Sequence, residues 1–380
     1  MNHTVPHPLS NKLYLANINN LSYSTPEDVH LYSTFYRRFL NHNVALVDRC
    51  GKISMPYNFE LYEKFKMPTD LTNFNMSYTD CLLERAEELY SLSVKLKVPL
   101  KIYYSGGIDS TLILVSFLMI QEKKNIKENI IVSMSPESIR ENPNFYYEHI
   151  LPNFEIESSE NFSNDFDKKC IIVGGEFNDQ LFGSIAIYKV YAASWDFSNV
   201  LKSYNTGLIR DFFLSKGLSE KSANWWYDML VYQAETAPCK IQSTFDLLWW
   251  FNFNFKWQSV LFRIVLRVSK EQRVNIDDNF MKNYFHHFYT TTNFQKWSML
   301  NSHLKVKEDW KSYKYICKEI IYNYTKDEYW FNNKIKVGSL FKIFLNKNTP
   351  QGLDTNYNFL FKLNASDYYN PNNAFINGYK

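Results

Sequence analysis

The sequence predicts an α/β fold in which a parallel sheet carries helices on both faces, followed by a helical region rich in aromatic residues. Two observations support this prediction. Between residues 77 and 191, short apolar runs alternate with longer segments of helical periodicity, and strands without a polar face are typical of buried parallel sheets. Beyond residue 196, aromatic residues recur at helical spacing, so we expect them to form a packed core.

The elements of the predicted sheet follow one another in a regular order. A helix from Ser77 to Lys97 opens the region, because its apolar residues fall on one broad face. The predicted strands are Leu100 to Tyr104, Ile130 to Met134, Phe154 to Glu157 and Cys170 to Val173, and the helices between and after them are Ser110 to Gln121, Asn144 to Leu151 and Gln180 to Tyr191. His286 and His287 lie in the helical region that follows, where adjacent side chains point apart, so we expect an exposed or capping position for them.

We predict three regions along the chain. Residues 1–76 form an N-terminal α+β region whose role the sequence does not indicate. Within it, Asn43 to Met55 has the pattern of a hairpin turning at Cys50 and Gly51. Residues 77–330 form the main domain. Residues 331–380 are polar and rich in asparagine, which is typical of a tail.

Composition argues against several classes of protein. The chain of 380 residues has a formal net charge of +3 and no continuous basic stripe, so a nucleic-acid partner is not expected. Its five cysteines are widely spaced without a CxxC pair, which argues against a zinc cluster and a disulfide framework. The sequence has neither a secretory signal nor an apolar stretch long enough to cross a membrane. These absences predict a cytoplasmic protein without a membrane partner.

Residues 105–110, SGGIDS, form the junction between the first predicted strand and the helix after it. Ligands of parallel sheets bind where such a loop leaves a strand, and the N–H groups that open the next helix stabilise anions. Gly106 and Gly107 would let a phosphate approach the backbone, while Ser105 and Ser110 supply hydroxyl groups. Asp109 would repel a phosphate unless a cation lies between them, and Mg²⁺ binds both carboxylates and phosphate oxygens.

This loop resembles the SGGxDS pyrophosphate loop of the N-type ATP pyrophosphatase (PP-loop) superfamily, and all five of its defining positions match. The resemblance implies an adenine nucleotide alpha hydrolase-like (HUP-type) fold and cleavage of ATP between its α and β phosphates. ATP and Mg²⁺ are the ligands it implies. The adenine would lie over the first two strands, so that Val132 and Met134 are candidates for its binding.

A second junction, IIVGGEFNDQLFGS at residues 171–184, is similar to the SGEGSDE segment of the asparagine synthetase C-terminal domain. The similarity implies that Gly174 and Gly175 contact the nucleotide and that Asp179 joins Asp109 in binding Mg²⁺-pyrophosphate. Glu176 would position the substrate or accept a proton from the incoming amine.

The same segment differs from the family pattern at four positions. Gly174 replaces a serine, Phe177 replaces a glycine and Gln180 replaces an acid, while Asn178 stands at a second serine. These departures indicate a substrate pocket different from that of a standard asparagine synthetase.

Two weaker similarities lie further along the chain. HHFYTTTNFQKWSM, from His286, is similar to the PFLDxxLVEFAL segment of the family, and WKSYKYICKEII, from Trp310, to its GKxKYILREAL segment. The second implies a lysine that neutralises charge on the α phosphate and the leaving pyrophosphate. Lys314 fits this position best and Lys311 is the alternative.

The resemblance covers residues 77–330 and implies an ATP-dependent, AMP-forming ligase that adenylates a carboxylate, releases pyrophosphate and forms an amide. The acyl substrate would be a small-molecule or peptide carboxylate. Because the chain begins Met1-Asn2-His3, the N-terminal cysteine of the family's glutamine-hydrolysing domain is not matched. We therefore expect ammonia or an amine as nitrogen donor, including one supplied by a separate amidotransferase.

Two alternatives stay open at this stage. One is a PP-loop enzyme that modifies a nucleobase or transfer RNA, although the modest charge and the absence of a cysteine cluster weigh against it. The other is a nucleotide-binding protein that has lost turnover, for which Gly174 and Gln180 leave room. Whether the chain forms a homo-oligomer is not determined by its sequence.

Overall fold

A five-stranded parallel sheet lies at the centre of the computed structural model, which describes residues 47–52, 61–62, 66–121, 126, 129–183, 196–265, 268 and 275–334. The strands are β1 (Leu100–Tyr104), β2 (Ile130–Met134), β3 (Glu155–Ser158), β4 (Ile171–Gly174) and β5 (Phe285–His287). Their order in space is β3-β2-β1-β4-β5, and every neighbouring pair is parallel. The predicted fold class is confirmed.

Helices surround the sheet and make up most of the described residues between 196 and 334. In order they are α1 (Tyr78–Leu96), α2 (Ile108–Gln121), α3 (Pro136–Glu141), α4 (Pro143–Phe145), α5 (Asn178–Phe182), α6 (Ser198–Leu201), α7 (Leu208–Ser215), α8 (Glu220–Glu235), α9 (Thr244–Phe255), α10 (Trp257–Val265), α11 (Asp278–Asn283), α12 (Thr292–Leu300), α13 (Tyr315–Thr325) and α14 (Glu328–Asn333). A π-helical turn, Tyr146–Ile150, follows α4. None of the described helices is long and apolar enough to span a lipid bilayer.

The path of the chain places β1 and β4 at a reversal point in the sheet. From β1 the chain moves outward to β2 and β3, then returns to β4 on the other side of β1 and continues to β5. Right-handed crossovers in these two directions put the connecting helices on opposite faces. Ile102 in β1 pairs with Val132 on one side and with Val173 on the other. The loops that leave β1 and β4 are therefore neighbours, and open α/β sheets bind ligands at such a position.

The two helices next to this position, α1 and α2, are explained by a side-chain cap and by packing, respectively. Ser77 caps α1 by accepting a hydrogen bond from the N–H of Asp80, whose carboxylate accepts one from the N–H of Ser77 in return. Such a reciprocal cap satisfies two N–H groups that a helix start would leave without partners. The next helix, α2, is apolar on every side because it packs against both α1 and α13.

The aromatic-rich region forms a continuous core, as predicted. Every residue of α9 is buried. Trp226, Trp249 and Trp250 are also buried, and Trp225 packs against the same core while half-buried. These tryptophans are accounted for by packing.

One described part of the N-terminal region, residues 47–52, is docked onto this core. The predicted turn is present, with the N–H of Gly51 donating to the carbonyl of Asp48 at 3.2 Å. The Asp48 carboxylate accepts hydrogen bonds from Asn254 Nδ2 at 2.7 Å and Gln233 Nε2 at 3.1 Å. The described residues beside the turn, 47, 48 and 52, are not in a strand, and the rest of the predicted hairpin, residues 43–46 and 53–55, lies outside the described residues.

The strand predictions for β1 and β2 match the structure residue for residue, and those for β3 and β4 are shifted by one residue. The helix predicted to start at Ser110 begins at Ile108, and α3 was not expected. The predicted helix after β4 is observed from Asn178 to Phe182, while the part predicted beyond residue 183 lies outside the described residues. The helix α14 crosses the predicted tail boundary at residue 331.

The prediction for the two adjacent histidines is wrong. His286 and His287 lie on strand β5 rather than on a helix, and only 5% and 2% of their surfaces are exposed. A strand of three residues, FHH, offers no alternation from which to recognise it. His287 pairs with Gly174 in the register of the sheet.

Gly174 provides a test of this packing. A β-carbon at Gly174 would lie 2.8 Å from Nδ1 of His287, whereas one at Gly175 would meet its nearest neighbour at 3.5 Å, an ordinary contact. We expect Gly174→Ala to lower the free energy of unfolding by about 1–3 kcal/mol, as overpacked cores do, and Gly175→Ala to leave it nearly unchanged. Urea unfolding followed by tryptophan fluorescence measures both. Equal midpoints for the two variants would contradict the β4–β5 register.

Candidate functional site

The loop after β1 has a backbone conformation that requires glycine. Gly106 has a φ of +76°, and a β-carbon there would lie 2.5 Å from the carbonyl oxygen of Ser138. The hydroxyl oxygens of Ser105 and Ser110 are 3.0 Å apart, and the N–H of Gly107 donates to the Ser105 hydroxyl at 3.3 Å. The loop ends where α2 begins. As in any α-helix, the first N–H groups of α2 have no acceptor within the helix.

The loop after β4 lies against this first loop. A β-carbon at Gly175 would be 3.7 Å from the backbone nitrogen of Ser110, so the two glycine-containing segments are in close proximity. Glu176 follows and is half-buried. The junction thus brings together residues separated by about seventy positions in the sequence, as expected for neighbouring strand ends.

Phe177 has an unusual backbone conformation in this second loop. Its φ is +81°, in the left-handed region that glycine adopts most easily. The side chain is fully buried, with its ring centroid 4.6 Å from that of Trp257 and 5.0 Å from that of His287. The family segment that this loop resembles has glycine here. The phenylalanine therefore keeps a glycine-like backbone while its ring fills a pocket behind the loop.

A third segment approaches the two loops from the end of the domain. Lys314 directly precedes α13 and has a φ of +58°. Its N–H donates to the carbonyl of Lys305 at 3.1 Å, and its side chain is 4% exposed. The ammonium group is thus held at a fixed place at the start of a helix.

The ammonium of Lys314 joins the carboxylates of the two loops. Its Nζ lies 2.7 Å and 2.8 Å from the two oxygens of Asp109, and 2.7 Å from Oδ1 of Asp179. The carboxylates are partly accessible, with 26% of the Asp109 side chain and 56% of the Asp179 side chain exposed. We call these three residues the Asp–Lys–Asp cluster. It is the geometric centre of the candidate site.

The electrostatics of this cluster favour a charged lysine. Burial alone would lower the pKa of Lys314, but the carboxylates of Asp109 and Asp179 raise it well above its ordinary value. Burial raises the pKa of Asp109, Lys314 opposes that shift, and the like charge of Asp179 adds to it. Asp109 and Asp179 share the ammonium of Lys314, and a cation bound between these carboxylates would favour their charged forms.

The predicted metal ligands can be compared with the requirements of Mg²⁺. Among the described residues, no group of three or more His, Cys, Asp or Glu side chains is arranged around a common metal position. Asp109 and Asp179 supply two carboxylates, which is the number that Mg²⁺ uses when phosphate oxygens complete its coordination. The residues therefore fit an ion that binds together with a polyphosphate better than an ion that binds alone.

Three residues of the site were not identified from the sequence. Asn178 donates from Nδ2 to Oδ1 of Asp109 at 2.6 Å, the hydroxyl of Tyr289 donates to the main-chain carbonyl of Asp109 at 2.6 Å, and that of Tyr313 donates to Asp179 at 3.4 Å. Asn178 lies inside the second motif and Tyr313 is next to Lys314, so both are close to residues that the sequence did single out. Tyr289 carries no local signal, because only the fold brings it to Asp109.

The remaining predicted residues fall outside the Asp–Lys–Asp cluster. Lys311 is exposed, and its carbonyl accepts a hydrogen bond from Lys318 Nζ at 2.8 Å. Of the two candidate lysines, Lys314 is the one that reaches the loops. Val132 and Met134 are 0% and 4% exposed in β2, and their assignment to the adenine stays a prediction.

Comparison with known proteins adds no family assignment. No family model matches the chain, and no curated protein shows a significant match. The fold and the geometry of the site therefore carry the functional reasoning.

The two candidate lysines give a matched pair of variants. We expect Lys314→Met to lower the free energy of unfolding by about 1–3 kcal/mol, less than the ~3–5 kcal/mol for breaking a fully buried pair, because Asp179 is 56% exposed. Lys311→Met should change it by less than about 0.5 kcal/mol, as is usual for surface substitutions. Chemical denaturation measures both, and a larger effect at Lys311 would contradict the observed ion pairs.

The raised pKa of Lys314 sets the pH dependence of this contribution. A group with a higher pKa in the folded state stabilises fully below its unfolded pKa, about 10.4 for lysine, and loses that effect as the pH rises through the folded value. The difference in unfolding free energy between the wild type and Lys314→Met should therefore be constant from pH 7 to about 10 and shrink only above it. A difference that already shrinks at pH 8 would show that Lys314 is not held charged by the carboxylates.

Proposed function

We propose that the chain is an ATP-dependent, AMP-forming ligase that adenylates a carboxylate and joins the acyl group to ammonia or an amine. One observation carries the proposal. The Nζ of Lys314 contacts Asp109 and Asp179 at 2.7 Å, and these three residues come from the three segments that resemble asparagine synthetase-like PP-loop enzymes. Residues 109, 179 and 314 are far apart in the sequence, and their meeting at one place supports that resemblance.

The loop after β1 has the features that a pyrophosphate group needs. Its glycines expose the backbone, and it leads into α2, a helix of 14 residues, whose N-terminus stabilises anions. Ser105 and Ser110 supply hydroxyl groups beside it. Asp109 and Asp179 would hold Mg²⁺, which when bound supplies the positive charge that neutralises the phosphate oxygens.

ATP is a substrate of the proposed reaction. In its first half, a carboxylate oxygen of the acyl substrate bonds to the α-phosphorus. The bond from that phosphorus to the oxygen bridging the β-phosphate breaks, and pyrophosphate leaves with the electron pair. Lys314 stabilises the charge that develops on these oxygens, and its ion pairs hold it in place before the reaction begins.

In the second half, the amine nitrogen bonds to the acyl carbon, and AMP leaves with the electron pair of the broken carbon–oxygen bond. The nitrogen loses a proton to a base. Glu176 is the proposed acceptor, because it lies half-buried in the loop that leads to Asp179 and stands at the family's glutamate. Val132 and Met134 remain the proposed contacts of the adenine.

The decisive measurement is the exchange of labelled pyrophosphate into ATP in the presence of Mg²⁺ and single carboxylates, beginning with aspartate. Exchange should require one carboxylate and be abolished by EDTA. Asp109→Asn and Lys314→Met should each slow it by about 10²-fold or more, the usual loss on removing a charge-stabilising group. Lys221→Met, an exposed lysine on α8, is the control and should retain the wild-type rate.

Two outcomes would contradict the proposal. Pyrophosphate exchange that persists in Lys314→Met would show that the Asp–Lys–Asp cluster takes no part in the reaction. Binding of ATP without exchange, whichever carboxylate is added, would rule out the acyl-transfer reaction. It would favour a nucleobase-modifying enzyme of the same superfamily or a nucleotide-binding protein without turnover.

A further inference from the structure

Asn178 links the Asp109 carboxylate to the first helix of the domain. Its Nδ2 donates to Oδ1 of Asp109 at 2.6 Å, and its Oδ1 accepts from the hydroxyl of Tyr78 at 2.5 Å. Asn178 is 0% exposed and Tyr78 is 1% exposed. Because the carbonyl end of the amide accepts from Tyr78, the nitrogen end is directed at Asp109.

These contacts distinguish the two oxygens of the Asp109 carboxylate. Oδ1 accepts hydrogen bonds from both Lys314 and Asn178, whereas Oδ2 accepts only from Lys314 among the described contacts. A carboxylate oxygen has two acceptor positions, so Oδ2 keeps one of them for a ligand. The side chain is 26% exposed, which leaves room for that ligand to approach.

We infer that Asn178 is a positioning residue, which orients Asp109 so that Oδ2 faces the magnesium-bound pyrophosphate, and that Tyr78 fixes the amide in the required direction. This inference rests on the proposed function and adds two residues to it. Groups that orient a metal-binding carboxylate through hydrogen bonds contribute to metal affinity although they never touch the metal.

The residue type at position 178 is consistent with this role. The serine of the resembled family segment has a single oxygen on a short side chain, and the two amide ends of asparagine accept from Tyr78 and donate to Asp109 at the same time. An aspartate would place a further carboxylate beside Asp109, and the two like charges would repel each other. Asparagine is uncharged, donates on one side and accepts on the other.

The test is calorimetric binding of Mg²⁺ with inorganic pyrophosphate, and separately of AMP, to the full chain. We expect Asn178→Ala and Tyr78→Phe to weaken the binding of Mg²⁺-pyrophosphate by about 10- to 100-fold, the range for groups that orient metal ligands. AMP lacks the pyrophosphate, so its affinity should not change. Tyr227→Phe is the matched control, because it also removes one tyrosine hydrogen bond, to the carbonyl of Tyr204 at 3.2 Å in the helical region.

The outcomes separate this inference from the function on which it rests. Wild-type protein that binds neither ligand would overturn the proposed function. Wild-type binding with unchanged Mg²⁺-pyrophosphate affinity in both variants, or with an equal loss of AMP affinity, would overturn the positioning role alone. Near-UV circular dichroism checks folding, and if Asn178→Ala does not fold, the milder Tyr78→Phe decides.

Discussion

The ion pairs between Lys314 and two carboxylates are the interaction on which the rest of the site depends. A buried ammonium is costly unless it is paired, and here Asp109 and Asp179 pair with it at 2.7 Å. These partners come from loops that a parallel sheet places side by side only because β1 and β4 are neighbours. Removing Lys314 would leave two carboxylates side by side at the carboxyl edge of the sheet, and removing either aspartate would leave the ammonium with one carboxylate of the cluster. The strand order and the cluster therefore support each other.

Phe177 shows how the chain departs from a family pattern without dismantling the site. A left-handed conformation costs an L-residue about 1–2 kcal/mol, whereas fully burying a phenylalanine gains about 1.5–3 kcal/mol. The ring lies against Trp257 and His287, and His287 in turn occupies the space beside Gly174. Two of the departures thus form one packing unit behind the loop. These two residues change the apolar packing behind the loop, whereas the Asp–Lys–Asp cluster lies on the polar side of the loop.

The sequence was sufficient for elements whose signal is local. The bounds of β1 and β2 were predicted residue for residue because each is a short, largely apolar run that ends just before a serine. The two loops were recognised by their glycines. The strand β5 was missed because three residues, FHH, carry no periodicity. Tyr78 and Tyr289 were missed for a different reason: their hydroxyl groups reach Asn178 and Asp109 across 100 and 180 positions of sequence, and only the tertiary structure creates that proximity.

The packing behind the loop extends to the N-terminal region. The guanidinium carbon of Arg49 lies 4.3 Å from the ring centroid of Trp257, the residue that contacts Phe177. The N–H of Arg49 donates to Asn254 at 3.0 Å, and the neighbouring Asp48 accepts from the same side chain. Without this turn, buried amide groups of α9 would lose their partners at a cost of about 1–3 kcal/mol each. Residues 47–52 therefore stabilise the residues that pack behind the loop after β4, although they precede the sheet by about fifty positions.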